Sequence, residues 1–258
     1  MKRPINLNAD LGEGFGSWRM GDDAAMLEIV GSASVACGFH AGDPQIMART
    51  LATAFSRGVS VGAHPSFPDL QGFGRRRMDI AGEALESILI YQIGALAALA
   101  RAQGGVVTHV KPHGALNNMA CQDAGLADTV ARAVKRFDPS LVLLAPAASQ
   151  LAERGRDAGL PVVEEFFADR AYTDDGELVP RAEPGAIIHG VEACVRHVLD
   201  MLGAGGLVTV SGKVIPAALQ SVCVHGDDTA AVATARALRD GLVEAGHELV
   251  TIPRLRTD

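Results

Sequence analysis

Short apolar runs alternate with longer amphipathic runs from one end of this 258-residue chain to the other. Residues 5–10, 33–36, 59–63, 106–110, 141–144, 162–167 and 221–224 have the length and residue types of short strands. Between them, helical spacing of apolar residues marks helices over 22–30, 45–57, 83–103, 123–137 and 191–202, one that ends near Ala158 and one that ends at Ala245. Residues 207–215 read as a β-ribbon turning at Ser211-Gly212. No linker, repeat or change in composition divides the pattern, so it predicts one domain spanning 1–258. Strand–helix alternation calls for a parallel sheet. At this length a closed or nearly closed α/β barrel, a (β/α) barrel of about seven or eight units, is favoured over an open doubly wound sheet.

The first strand carries an unusual face. Ile5, Leu7 and Ala9 alternate with Asn6, Asn8 and Asp10, and three Asn/Asp side chains are poor material for a solvent-facing strand. A barrel interior or a pocket floor explains them. Polar clusters also end the other strands: His40 with Asp43, His64, Lys111 with His113, Asp169 with Arg170, and His225 with Asp227. Four of the eight histidines occupy such ends. In a barrel these ends converge on one mouth, so the residues should meet in space.

Some of these residues have structural work as well. Asp43 and Pro44 are a good N-cap and first residue for a helix, which leaves His40 on a strand-to-helix loop. The aperiodic connection 66–81 carries Gly72-Phe73-Gly74-Arg75-Arg76-Arg77. A charge run of this kind is often only solvated, but the Gly-Phe-Gly frame suggests an anion clamp. Cys37 reads as a small buried hydrophobe rather than a nucleophile, and no Gly-x-Ser-x-Gly elbow is present. A metal is compatible with Asp10, His40 and His64 as three ligands, although no spacing demands one.

Twenty-three basic against 30 acidic side chains give a net charge of −7, and aromatic residues make up 4%. Both disfavour nucleic acid as the partner. Four widely separated cysteines argue against a cysteine-rich zinc site and for a reducing compartment. The N-terminus lacks a signal-peptide core, and no run approaches the ~20 apolar residues of a membrane span. The expectation is a cytoplasmic protein that acts on a small molecule.

Several segments together resemble the LamB/YcsF family. They are Asn6-Leu7-Asn8-Ala9-Asp10-Leu11-Gly12-Glu13, Ala36-Cys37-Gly38-Phe39-His40-Ala41-Gly42-Asp43-Pro44, Gly62-Ala63-His64-Pro65-Ser66 and Gly72-Phe73-Gly74-Arg75-Arg76. Val110-Lys111-Pro112-His113-Gly114-Ala115-Leu116, Phe167-Ala168-Asp169-Arg170 and Cys223-Val224-His225-Gly226-Asp227 complete the set. The resemblance implies a barrel similar to the glycoside hydrolase/deacetylase type. It also implies the A component of an ATP-dependent 5-oxoprolinase, which works with 5-oxoprolinase subunits B and C and opens 5-oxo-L-proline to L-glutamate. Such chemistry needs a base for water (Asp10 or His40), an acid or orienting group (His64 or His113) and an oxyanion or phosphoryl stabiliser (Lys111), with His225 in the same ring of strand ends. Arg75, Arg76 or Arg170 would hold the substrate carboxylate, and Asn8, Glu13, Asp169 and Asp227 would complete the substrate contacts.

Asn117 stands where the family pattern leads one to expect tyrosine, and Asp228-Thr229 where a threonine-proline pair is common, so no role is carried to Asn117. With no P-loop present, ATP has no assigned place on the chain, and phosphorylation could fall to a partner. Two rival readings remain: a stand-alone metal-dependent deacetylase or amidohydrolase, and a protein that binds substrate for catalytic partners.

Overall fold

Strand β1 (Arg3–Leu11) pairs in parallel on both edges, with β2 (Ser32–Ala36) on one side and β9 (Ser221–Val224) on the other, and this closes the sheet. The computed structural model describes residues 3–224 and 231–255. Between β2 and β9 the barrel runs through β3 (Ser60–His64), β4 (Val107–Val110), β5 (Val142–Pro146) and β6 (Val162–Phe167). Among the described residues the barrel is therefore made of seven parallel strands, which excludes the open sheet. Around it lie α1 (Asp23–Met26), α2 (Pro44–Ser56), α3 (Gly82–Ala102), α4 (Gly114–Gln122), α5 (Ala124–Phe137), α6 (Gln150–Asp157), α7 (Val191–Ala204) and α8 (Ala231–Glu244). An antiparallel ribbon, β7 (Gly206–Val208) with β8 (Val214–Pro216), stands beside the barrel, as the Ser211-Gly212 turn predicts.

Four local expectations need correction. The helix over 22–30 shrinks to α1, because the chain turns at Gly31, whose N–H donates to Leu7 O, to enter β2. Helix α4 is absent from the sequence pattern; Gly114 at its start and the Asn117-Asn118 pair within it are weak helix formers. Strand β10 (His247–Leu249) joins the start of β1, and a 3-10 turn, Ile252–Arg254, follows it. Helix α3 is long and apolar enough to cross a membrane by length and composition. Its Leu85, Leu89, Ile93, Leu96 and Ala100 are buried in the main core.

Period two divides every strand between two environments. Ile5, Leu7 and Ala9 face outward into the apolar layer beneath the helices, together with Leu143, Phe166 and Val222. The inward face of β1 is polar, and its partners are polar. Asn6 Nδ2 donates to Ser32 Oγ at 2.9 Å, and Ser221 Oγ donates to Asn6 Oδ1 at 2.8 Å. One layer higher, Asn8 Nδ2 reaches Ser221 Oγ at 2.8 Å and Glu165 Oε1 at 3.0 Å. A separate apolar cluster of Val142, Leu144, Val163, Val250, Ile252 and Leu255 packs at the opposite end from the mouth, and there Ile252 N–H donates to Ser32 Oγ.

His109 is wholly buried and lies beside Gly62, its β-ladder partner. A Cβ on Gly62 would collide with the His109 ring, so glycine is required by close approach rather than by backbone conformation. Gly62→Ala should therefore cost about 1–3 kcal/mol through overpacking, read as a lower urea midpoint. Burial, then the charges of Lys111 and His64, lower the His109 pKa to about 3. The unfolded chain takes up a proton near pH 6.5 that the folded one refuses. This stabilisation is complete above about pH 6.5 and fades as pH falls toward 3, by up to ~1.4 kcal/mol per pH unit. Urea unfolding from about pH 7 to pH 4 should show that slope, and His109→Gln should flatten it by one proton's worth.

Candidate active site

The floor of the mouth is built on one buried ammonium. Lys111 Nζ lies 2.8 Å from Asp10 Oδ1, 3.1 Å from Asp10 Oδ2, 2.8 Å from Glu165 Oε1 and 3.1 Å from Cys223 Sγ, with Asn8 Oδ1 at 3.4 Å. Burial works against the charge, yet Asp10, Cys223 and Glu165 together outweigh it and hold the Lys111 pKa well above the ordinary lysine value. Burial in turn pushes the Glu165 carboxyl upward, against the pull of Lys111. The three N–H donors of Lys111 are thus taken up by the barrel itself. Lys111 therefore stays an ammonium that orients Asp10 and is not a base.

Above this floor three imidazoles meet. His64 ends β3, and Pro65 and Ser66 follow it; Gln92 of α3 fixes that turn by accepting from Ser66 N–H and donating to Ser66 O. His64 Nδ1 donates to Lys111 O at 2.7 Å, and His113 Nε2 donates to Phe73 O at 2.8 Å. His64 Nε2 and His113 Nδ1 then face one another at 3.0 Å, with Asp10 Oδ2 3.5 Å from His64 Nε2. His40 stacks on His113, with ring centroids 3.8 Å apart and planes 7° from parallel. Burial, followed by neighbouring positive charge, drives the pKa values of His40 and His113 well below that of free histidine, so both are neutral.

The Gly-Phe-Gly frame serves this cluster. Phe73 has φ 53°, a left-handed conformation that turns its carbonyl to His113, and its ring stands edge-on to both His40 and His113. Gly74 follows at φ 63°, and a Cβ there would come within 2.8 Å of both His113 and His40. Glu13 closes the group: Oε1 is 3.4 Å from His40 Nε2 and 3.6 Å from His113 Nδ1. One donor atom from each of Glu13, His40, His64 and His113 lies within 4.8 Å of the others, so these four residues could hold a metal ion.

The cavity over the floor measures about 340 Å³ and is rimmed by Arg75, Arg170 and Arg181. Arg170 is held by its own loop, with Nε donating to Ala186 O and Nη2 to Val179 O. Burial, then Arg181, brings the Arg170 pKa down to about 10. Three guanidinium groups at one rim favour an anionic ligand.

Asp10, Glu13, His64, Arg75, Lys111, His113 and Arg170 thus line one cavity, and His40 stacks directly against it. Three expected contacts fall elsewhere. Asn8 is a layer below, engaged with Glu165 and Ser221. Arg76 binds Asp69 and holds the 66–81 loop, outside the cavity. Asp169 does not line the cavity either; its carbonyl accepts from Ile188 N–H. His225 and Asp227 lie outside the described residues. The metal set differs from the expected Asp10, His40 and His64: Lys111 claims Asp10, and Glu13 and His113 join the histidines instead. Sequence reasoning misses Glu165 and Arg181. The signal for Glu165 is a carboxylate pair inside an otherwise apolar strand, Val162-Val163-Glu164-Glu165-Phe166-Phe167. Asp43 keeps its structural role, accepting from Gln45 and Ile46 N–H and, through its other oxygen, from Gly16 N–H. Cys37 is buried, and burial pushes its thiol up to about 12, as a packing residue requires.

Comparison with known proteins agrees with this geometry. The chain is 58% identical over 251 residues to the A component of 5-oxoprolinase from Azoarcus sp. (strain BH72), covering 97% of this chain and 98% of that protein. The crystal structure of a lactam utilization protein from Thermus thermophilus superposes with a TM-score of 0.90 at 42% identity, covering 98% and 100% of the two chains. The catalytic domain of a peptidoglycan N-acetylglucosamine deacetylase from Eubacterium rectale shares the fold alone, with a TM-score of 0.51 at 12% identity over 100% of this chain and 94% of that one. The LamB/YcsF family profile matches residues 5–257, and the chain belongs to that family.

Proposed function

We propose that this chain is the A component of an ATP-dependent 5-oxoprolinase, which opens 5-oxo-L-proline to L-glutamate in the cytoplasm together with subunits B and C. The 58% identity across nearly the whole of a 5-oxoprolinase component of the same size carries this reading. The pocket chemistry supports it. A five-membered lactam is an unactivated amide with a poor leaving group, and its ring closure is favourable. Transfer of the ATP γ-phosphoryl group to the carbonyl oxygen releases ADP and makes the carbon electrophilic. Water then adds, the C–N bond breaks as the ring nitrogen takes a proton, and a second water converts the acyl phosphate to glutamate and phosphate.

Asp10, oriented by Lys111, accepts the proton of the attacking water. Asp10 then gives that proton to the ring nitrogen, while the His64–His113 pair, held by two backbone carbonyls, borders the reacting carbonyl. Arg75 and Arg181 at the rim, with Arg170 behind them, hold the substrate carboxylate and the phosphoryl charge. A lactam acid fills only part of the cavity. A second one of about 400 Å³ shares Asn117, Asn118, Leu178 and Pro180 with it and offers room for a co-substrate. The metal-compatible group favours the rival reading, a stand-alone metal-dependent amidohydrolase.

Reconstitution separates the two. This chain with subunits B and C should release glutamate from 5-oxoproline only when ATP is present. Release by the isolated chain without ATP would establish the rival, and no release from the complete set would overturn the proposal. In the reconstituted enzyme His40→Ala should slow release at least ~100-fold. Lys111→Ala should abolish release and cost about 3–5 kcal/mol in urea unfolding, because Asp10 and Glu165 then face each other without a counter-charge.

A further inference from the structure

We propose that His64 Nε2 and His113 Nδ1, completed by Glu13 and His40, form a divalent transition-metal site of the zinc class. Hydrogen-bond direction sets both tautomers. A backbone carbonyl only accepts, so the bond to Lys111 O places the His64 proton on Nδ1, and the bond to Phe73 O places the His113 proton on Nε2. Each ring therefore turns a lone pair toward the other across 3.0 Å. Two facing lone pairs repel, and a cation between them converts the repulsion into two bonds.

His40 points the same way. It is only 1% exposed, yet neither Nδ1 nor Nε2 makes a hydrogen bond, and an orphaned buried polar group is costly. Zinc bonds of about 2.0–2.1 Å in a tetrahedron put donor atoms about 3.3 Å apart. Three of the six separations here are 3.0 Å for His64–His113, 3.4 Å for His40–Glu13 and 3.6 Å for His113–Glu13, and all six lie within 4.8 Å. Three imidazoles with one carboxylate suit zinc, cobalt or iron and are a poor set for magnesium or calcium. The two carbonyls act as the outer partners that orient metal-bound histidines. The left-handed Phe73 is then a positioning residue, its backbone strain held because its carbonyl fixes the His113 tautomer. When bound, such an ion supplies a Lewis acid beside Asp10.

The site does not depend on the lactam reading, since binding is measured without substrate, ATP or partner proteins. Chelator-stripped full-length protein titrated with Co²⁺ alone should take up one ion per chain with the strong visible absorption of a low-coordinate nitrogen–oxygen site. His113→Ala and His40→Ala should each weaken uptake at least about tenfold while keeping the wild-type far-UV circular dichroism, and surface Arg154→Ala should not. Gly74→Ala, which presses on His40 and His113, should weaken uptake in the same direction. Long-range proton–nitrogen NMR of the wild-type protein with Zn²⁺ should assign bonding to Nδ1 of His113 and Nε2 of His64. This spectrum decides the case even if a variant fails to fold. Absence of uptake by the folded wild-type chain, or bonding through the opposite ring nitrogens, would overturn the site.

Discussion

The ammonium of Lys111 is the contact on which the rest of the mouth depends. Removing a lysine and two carboxylates from water is costly, and their attraction offsets that cost only where geometry and further hydrogen bonds are good. Here Asp10 comes from β1, Glu165 from β6 and Cys223 from β9, so one charge ties three strands of the barrel together. The arrangement carries one positive against two acidic groups. Burial raises Glu165 even beside its counter-ion, and the nearby Asp10 adds to the rise.

The mouth is graded in charge from bottom to top. Acid and ammonium form the floor, neutral histidines the middle, and guanidinium groups the rim. An anionic molecule entering past Arg75 and Arg181 presents its charge to the rim and its reactive carbon to the histidines and Asp10. Neutral imidazoles offer lone pairs there without burying a further charge. The Gly-Phe-Gly turn joins these levels: the Phe73 carbonyl fixes His113, while the Arg75 guanidinium lies 5.0 Å over the Phe73 ring at the rim.

Much of this was legible in the sequence, and for a physical reason. Asn6, Asn8 and Asp10 cannot face solvent from a good strand, so their alternation with Ile5, Leu7 and Ala9 announced a polar interior. The strand ends likewise announced the meeting of His40, His64, Lys111 and His113. What stayed hidden depends on partners distant in sequence. Arg75 and Arg76 are neighbours in the chain, yet Asp69 takes Arg76 out of the cavity. Glu164 and Glu165 alternate faces, one toward Arg156 outside and one toward Lys111 inside, and only closure of the barrel reveals which is which. The helix α4 was hidden because weak helix formers hold it by packing of Ala115, Leu116 and Ala120 rather than by propensity.

A barrel filled with asparagine, serine, histidine and charge is a poor source of stability, because each imperfectly satisfied group costs what an apolar side chain would gain. The fold tolerates this by separating tasks across the strand wall. The outward faces of the same strands, with Leu7, Val35, Val61, Leu143 and Val222, pack into one continuous apolar layer under the helices, and that layer supplies the main driving force for folding. The lower end is packed by Val142, Leu144, Ile252 and Leu255. Burial of Lys111, Asp10 and Glu165 strengthens the charge interactions among them. The polar interior is thus the consequence of two apolar structures that enclose it, and loosening either should weaken the hold of Lys111 on Asp10 before it unravels the barrel.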